Sequence, residues 1–85
     1  MNIFYTSKFR REYKKLPKEV KSRAEKNETL FRKNPFDSRL DTHKLHGRLK
    51  DFWSFSVDFK YRIVFEFGDS STVYFHSVGN HDIYQ

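Results

Sequence analysis

The apolar residues of this chain change their period part-way along, and that change limits the possible folds more than any other feature. Phe9, Tyr13 and Leu16 recur at i, i+4 and i+7, and Val20, Ala24, Asn27 and Phe31 form a second helical stripe, with Leu30 beside it. After Lys50 the repeat falls to two. Trp53, Phe55, Val57 and Phe59 share one face of a strand; Tyr61, Ile63, Phe65 and Phe67 share one face of the next; Thr72 to Val78 reads as a third. A 3.6-residue stripe and a two-residue stripe bury different backbones, so helices and strands occupy separate parts of the chain.

The punctuation agrees with this order. Asn2-Ile3-Phe4-Tyr5 reads as a short first strand, and Ser7 is placed to cap a helix. Pro17 suits the first turn of a second helix, which runs to about Lys33 and stops before Asn34-Pro35. Asn27, the polar member of its stripe, either satisfies a buried contact or marks a docking position for a partner helix. Pro35-Phe36-Asp37-Ser38 is a turn, residues 35–50 are polar and irregular, and Gly68-Asp69-Ser70-Ser71 is another turn. The expectation is an α+β fold: an N-terminal strand, a two-helix hairpin, then an antiparallel three-stranded meander. These make a four-stranded sheet with the helices on one face. The other face carries Ser54, Ser56, Arg62 and Glu66 and is open to a ligand. No repeat or linker interrupts the chain, so residues 1–85 are expected to form a single domain.

A domain of this length buries only about 60% of the surface its unfolded chain exposes. Its core must therefore come from large side chains, and 10 Phe, 5 Tyr and 1 Trp supply them. There is no cysteine, which excludes disulfides and thiolate metal sites and suits a reducing cytoplasm. No apolar run approaches the roughly 20 residues of a membrane span, and residues 1–13 lack a secretory pattern. The expected setting is the cytoplasm, without a membrane partner.

The formal charge is +6 and lopsided: residues 1–34 carry +7 and residues 35–85 carry −1. A basic slab of this kind attracts polyanions, nucleic acid foremost, although lysine-rich helix faces are also common as plain solvated surfaces.

Four histidines (His43, His46, His76, His81) lie in the second half, with Arg62 inside the apolar run Tyr61-Arg62-Ile63-Val64-Phe65. A guanidinium there points to the open face and matches a phosphate; the alternative is an ion pair with Glu66 or Asp58. RNA transesterification needs one group to take the 2′-hydroxyl proton, another to protonate the departing 5′-oxygen, and a cation for the phosphate. Two imidazoles and one guanidinium suffice, with no metal and no cofactor. His76 is read as structural. A zinc site from His43, His46, His81 and an Asp is conceivable, but the spacing signal is weak. Tyr84 either staples the tail to the core or stacks on a base.

The ordered segments Lys44-Leu45-His46-Gly47, Trp53-Ser54-Phe55-Ser56-Val57, Tyr61-Arg62-Ile63-Val64-Phe65 and Val78-Gly79-Asn80-His81-Asp82-Ile83-Tyr84 together resemble the RelE/ParE superfamily of bacterial and archaeal toxins, in particular the RelE, YoeB and YafQ branch of mRNA endonucleases. The resemblance implies a compact microbial RNase fold and metal-free cleavage of mRNA on the ribosome. It also implies a partner antitoxin that wraps and blocks the toxin. It assigns Arg62 to the scissile phosphate, His81 to the general acid, Tyr84 to orienting the nucleotide, and His43 to the general base. Lys44, His46, Lys60 and Trp53 are the expected RNA contacts around them. The sequence departs from the family where lysines of RelE are replaced by Ser54 and Ser56, and where a His and an Asp of YafQ are replaced by Asp58 and Lys60. Two other readings stand beside this one: a ParE-like inhibitor that binds gyrase without cutting anything, and a non-toxic RNA- or DNA-binding module.

Overall fold

The computed structural model describes residues 1–80. In chain order it comprises β1 (Asn2–Tyr5), α1 (Ser7–Lys14), α2 (Lys18–Lys33), β2 (His43–Lys44), β3 (Trp53–Ser56), β4 (Arg62–Phe67) and β5 (Thr72–Gly79). Short 3₁₀ turns lie at Ser38–Leu40 and Gly47–Leu49.

The helix boundaries follow from local chemistry. Thr6, one residue before the expected Ser7, caps α1: its hydroxyl accepts from the Phe9 N–H at 3.1 Å and donates to the His76 carbonyl at 3.1 Å. The cap therefore also fastens the helix to β5. Pro17 sits at the N-cap of α2 rather than within its first turn. At the far end Asn34 is extended, as the residue before Pro35 must be, and α2 stops there. Asn27 resolves to the structural alternative. Its amide donates to the carbonyls of Ser56 and Val57 at 2.7 and 3.1 Å, tying α2 to the end of β3.

Among the described residues the sheet has five strands in the order β1-β5-β4-β3-β2, not the four expected. The additional strand is His43–Lys44, which pairs antiparallel with Trp53–Ser54 inside a segment whose polar composition reads as loop. β1 runs parallel to β5, and the other neighbours are antiparallel. β3 ends at Ser56, sooner than the alternation suggests. Asp58 Oδ1 accepts from the N–H groups of Lys60 and Tyr61 and closes a turn that leaves Phe59 92% exposed, outside the core.

The helices lie on one face of the sheet. Phe31, fully buried on α2, sits 4.8, 4.9 and 5.5 Å from the ring centres of Phe55, Phe65 and Phe75. Burying a ring of this size contributes about 1.5–3 kcal/mol, so a handful of aromatics carries the core. β5 contains a bulge: Val64 and Phe65 are consecutive on β4, but their partners Ser77 and Phe75 are not, leaving His76 as the extra residue. Past Phe75, β1 no longer covers the edge of β5 and α1 takes over. Glu12 Oε1 accepts from the Val78 N–H at 3.1 Å and from the Ser77 hydroxyl at 2.8 Å. No helix among the described residues is long and apolar enough to cross a membrane.

Candidate active site on the sheet face

Alternation along β4 puts Arg62, Val64 and Glu66 on the face away from the helices. Arg62 is only 6% exposed, and a buried guanidinium is tolerable only when its donors are satisfied. Nε donates to the Ser54 hydroxyl at 2.9 Å, and Nη2 donates to the Asp41 carbonyl at 2.7 Å and, more weakly, to the Ser54 carbonyl at 3.4 Å. Nη1 faces the Asp41 carboxylate at 3.4 Å. The ion-pair partner is thus Asp41, not Glu66 or Asp58. Glu66 is engaged by His76 Nε2 at 2.9 Å, and Asp58 is held in its turn.

Asp41 reaches Arg62 because of the turn before it. Leu40 is fully buried and anchors the segment, and the Asp37 side chain accepts from the Arg39 N–H. Hydrogen bonds from the Arg39 side chain, then from its backbone N–H, hold the Asp37 carboxyl down at about 2. Asp41 then turns left-handed at φ 48°, a region that Asp and Asn enter more readily than most residues, and its carbonyl meets the guanidinium. Sequence reasoning missed Asp41. Its only signal was an Asp inside an irregular stretch, 21 residues from its partner.

His43 completes the cluster. It pairs with Ser54 in register, so it shares the face of Arg62. Its Nδ1 lies 3.3 Å from Arg62 Nη2 and 3.3 Å from the Asp41 carbonyl. The two contacts require opposite tautomers: a protonated Nδ1 donates to Asp41 and leaves Nε2 with a free lone pair, whereas a bare Nδ1 accepts from Arg62. The first arrangement presents Nε2 as a base. Beside it lies a shallow pocket of about 340 Å³ bounded by His43, Lys44, Leu45, His46 and Leu49.

The other expected RNA contacts are distributed more widely. His46 is exposed at the rim of that pocket, and Lys60 is exposed in the turn just before Arg62. Trp53 lies on the helix face, edge-on to Phe36 and Phe67 at 5.4 and 5.7 Å, and its register partner Lys44 shares that side. Parity alone separates both from Arg62. His81 and Tyr84 lie outside the described residues; β5, which precedes them, ends at Gly79, directly opposite Arg62. Among the described residues no three His, Asp or Glu side chains gather as a metal site requires.

YafQ from E. coli superposes with a TM-score of 0.80 over 98% of this chain and 96% of its own, at 20% identity. A YoeB/ParE toxin from Agrobacterium tumefaciens gives 0.80 over 95% and 99%, at 15% identity. The fold is that of the RelE-like toxins. The same RelE-like architecture is found in the E. coli DinJ-YafQ toxin-antitoxin complex, at a TM-score of 0.78, 20% identity and coverage of 96% and 93%. No family model and no curated protein matches the sequence. A RelE-like fold at such low identity is carried by the burial pattern: which positions face the helices survives substitution better than which residue stands there.

Proposed function

We propose that this chain is the toxin of a toxin–antitoxin pair and a metal-independent endoribonuclease that cleaves mRNA on the ribosome. One observation carries the reading. A guanidinium and an imidazole meet at 3.3 Å on the open sheet face of a fold shared with YafQ and YoeB/ParE toxins. The DinJ-YafQ complex supports an antitoxin as partner.

In the proposed reaction His43, or His46 from the rim, takes the 2′-hydroxyl proton. The 2′-oxygen bonds to phosphorus while Arg62 stabilises the growing negative charge, and the bond to the 5′-oxygen breaks. His81 protonates that oxygen and Tyr84 orients the nucleotide. The products are a 2′,3′-cyclic phosphate and a 5′-hydroxyl. Lys60 and His46 border the path of the scissile strand. Lys44 and Trp53, on the helix side of the β2–β3 edge, contact flanking RNA that passes round that edge.

The test is induced expression in a bacterial host, comparing the native chain with Arg62→Ala plus His81→Ala while mapping message ends. Growth arrest with 5′-hydroxyl ends inside coding frames, lost in the double variant, is the expected result. Ends bearing 5′-phosphate would overturn the chemistry, since they require water as nucleophile. Arrest with intact message would point to a bound target such as gyrase, and no arrest from folded protein to a plain binding module.

A further inference from the structure

A second feature of the open sheet face takes no part in the proposed chemistry. Four rings form a continuous strip there: Phe4 on β1, Tyr74 and His76 on β5, and Phe52 just before β3. Successive centres are 5.7, 6.3 and 4.9 Å apart, and successive planes differ by 26°, 35° and 35°. Phe4 is 55% exposed and Tyr74 38%, although both are large and one is wholly apolar.

The strip is preformed. Phe4 and Tyr74 are register partners on adjacent strands, which fixes their stacking. Tyr74 also lies over Gly68: a Cβ at that position would come within 2.8 Å of the ring. His76 is fixed by its 2.9 Å contact with Glu66. Rings already held by their neighbours lose little freedom when a flat ligand settles on them.

Charge decides which ligand. Phe52 ends a turn closed by the Leu45 N–H to the Phe52 carbonyl at 2.9 Å, and that turn exposes Arg48 and Lys50 against one acid, Asp51, which leaves it net positive. The acid on the strip, Glu66, is already engaged by His76. Glu66 shares the Arg62 face of β4, four residues further on, so its backbone lies about 13 Å along the strand from that of Arg62. A strip of neighbouring rings, stacked at Phe4–Tyr74 and tilted beyond it, beside a net-positive turn and on the sheet face that holds a phosphate-binding candidate, suits single-stranded nucleic acid.

We infer that the Phe4–Tyr74–His76–Phe52 strip is a base-stacking subsite that holds unpaired nucleotides of the RNA flanking the cleavage position. The inference rests on the nuclease reading and adds to it a platform that grips bases rather than phosphates. Binding there tolerates any sequence, because every base has a flat face.

The test uses the full chain and a short labelled single-stranded RNA, 2′-O-methylated so that it cannot be cut, beside an abasic strand of equal charge. Phe4→Ala plus Tyr74→Ala is expected to weaken binding of the base-bearing strand roughly 10- to 100-fold. Affinity for the abasic strand and the slope of affinity against salt should stay unchanged, because phosphate contacts are untouched. Gly68→Ala, which displaces the Tyr74 ring without removing it, should weaken base-bearing RNA selectively in the same way. Thermal unfolding confirms that each variant is folded. If the native chain cuts and binds RNA and the folded variants bind it equally well, the subsite is wrong while the nuclease reading stands. If the variants lose only binding of a partner protein, the strip is a protein-docking surface and the inference fails. If the native chain neither binds this RNA nor cuts message on ribosomes, both readings fall together.

Discussion

The guanidinium of Arg62 is clamped by groups from two distant parts of the chain, and they differ in how firmly they hold it. Ser54 is buried on the neighbouring strand, and the Asp41 carbonyl is set by backbone conformation. The Asp41 carboxylate, by contrast, is 78% exposed and lies 3.4 Å from Nη1. It is the group that an incoming phosphate must compete with. Replacing it by an amide keeps the left-handed backbone, which Asn also adopts, and keeps the carbonyl contact. On the nuclease reading, Asp41→Asn is therefore expected to tighten binding of uncleavable RNA a few-fold, about what one screened surface charge contributes. Fluorescence anisotropy at fixed salt would show it. Unchanged affinity in a folded variant would mean that Arg62 is a structural cation and that the phosphate binds elsewhere.

Among the elements, the long ones announce themselves and the short ones do not. The two helices and the three meander strands are legible because each repeats its apolar period over several turns or pairs. β2 is two residues long, too short for any period, and exists because β3 offers a free edge to His43 and Lys44. The orientation of Arg62 could be read from its parity in the strand, whereas Asp41, its partner across an irregular segment, could not. Nor could the bulge at His76, where the ladder must skip a residue. On the other edge of β5 the end of β1 creates a local need, and there the Val78 N–H is met by Glu12 from α1. Glu12→Ala leaves a buried backbone donor and the Ser77 hydroxyl without this acceptor. It should destabilise the fold by about 1–3 kcal/mol. Glu12→Gln retains an acceptor and should recover part of that loss. Urea unfolding midpoints at constant slope would measure both; an unchanged midpoint for Glu12→Ala would show that the α1 cover is dispensable.

Across the whole molecule the two kinds of positive charge are kept apart. Arg62 is buried on the sheet face, whereas Lys15, Lys18, Arg23 and Lys26 are exposed on the helical half, which holds the +7 of residues 1–34. A short RNA engaging the sheet face need not touch the helices. A ribosome, a large polyanion, can meet both. Replacing those four cations by alanine is therefore expected to leave any cleavage of short free RNA unchanged, and to weaken association with ribosomes. Each lost phosphate contact should lower the slope of log affinity against log salt by about 0.7–0.9. Stability should hardly move, because substitutions at exposed positions usually stay within about 0.5 kcal/mol and here they also relieve like-charge repulsion. Sedimentation with ribosomes across a salt series separates the possibilities. A flatter slope with an intact sheet-face reaction would assign the helices to holding the large target. An unchanged slope would reduce the basic half to a solvated surface and leave the sheet face to make every contact with RNA.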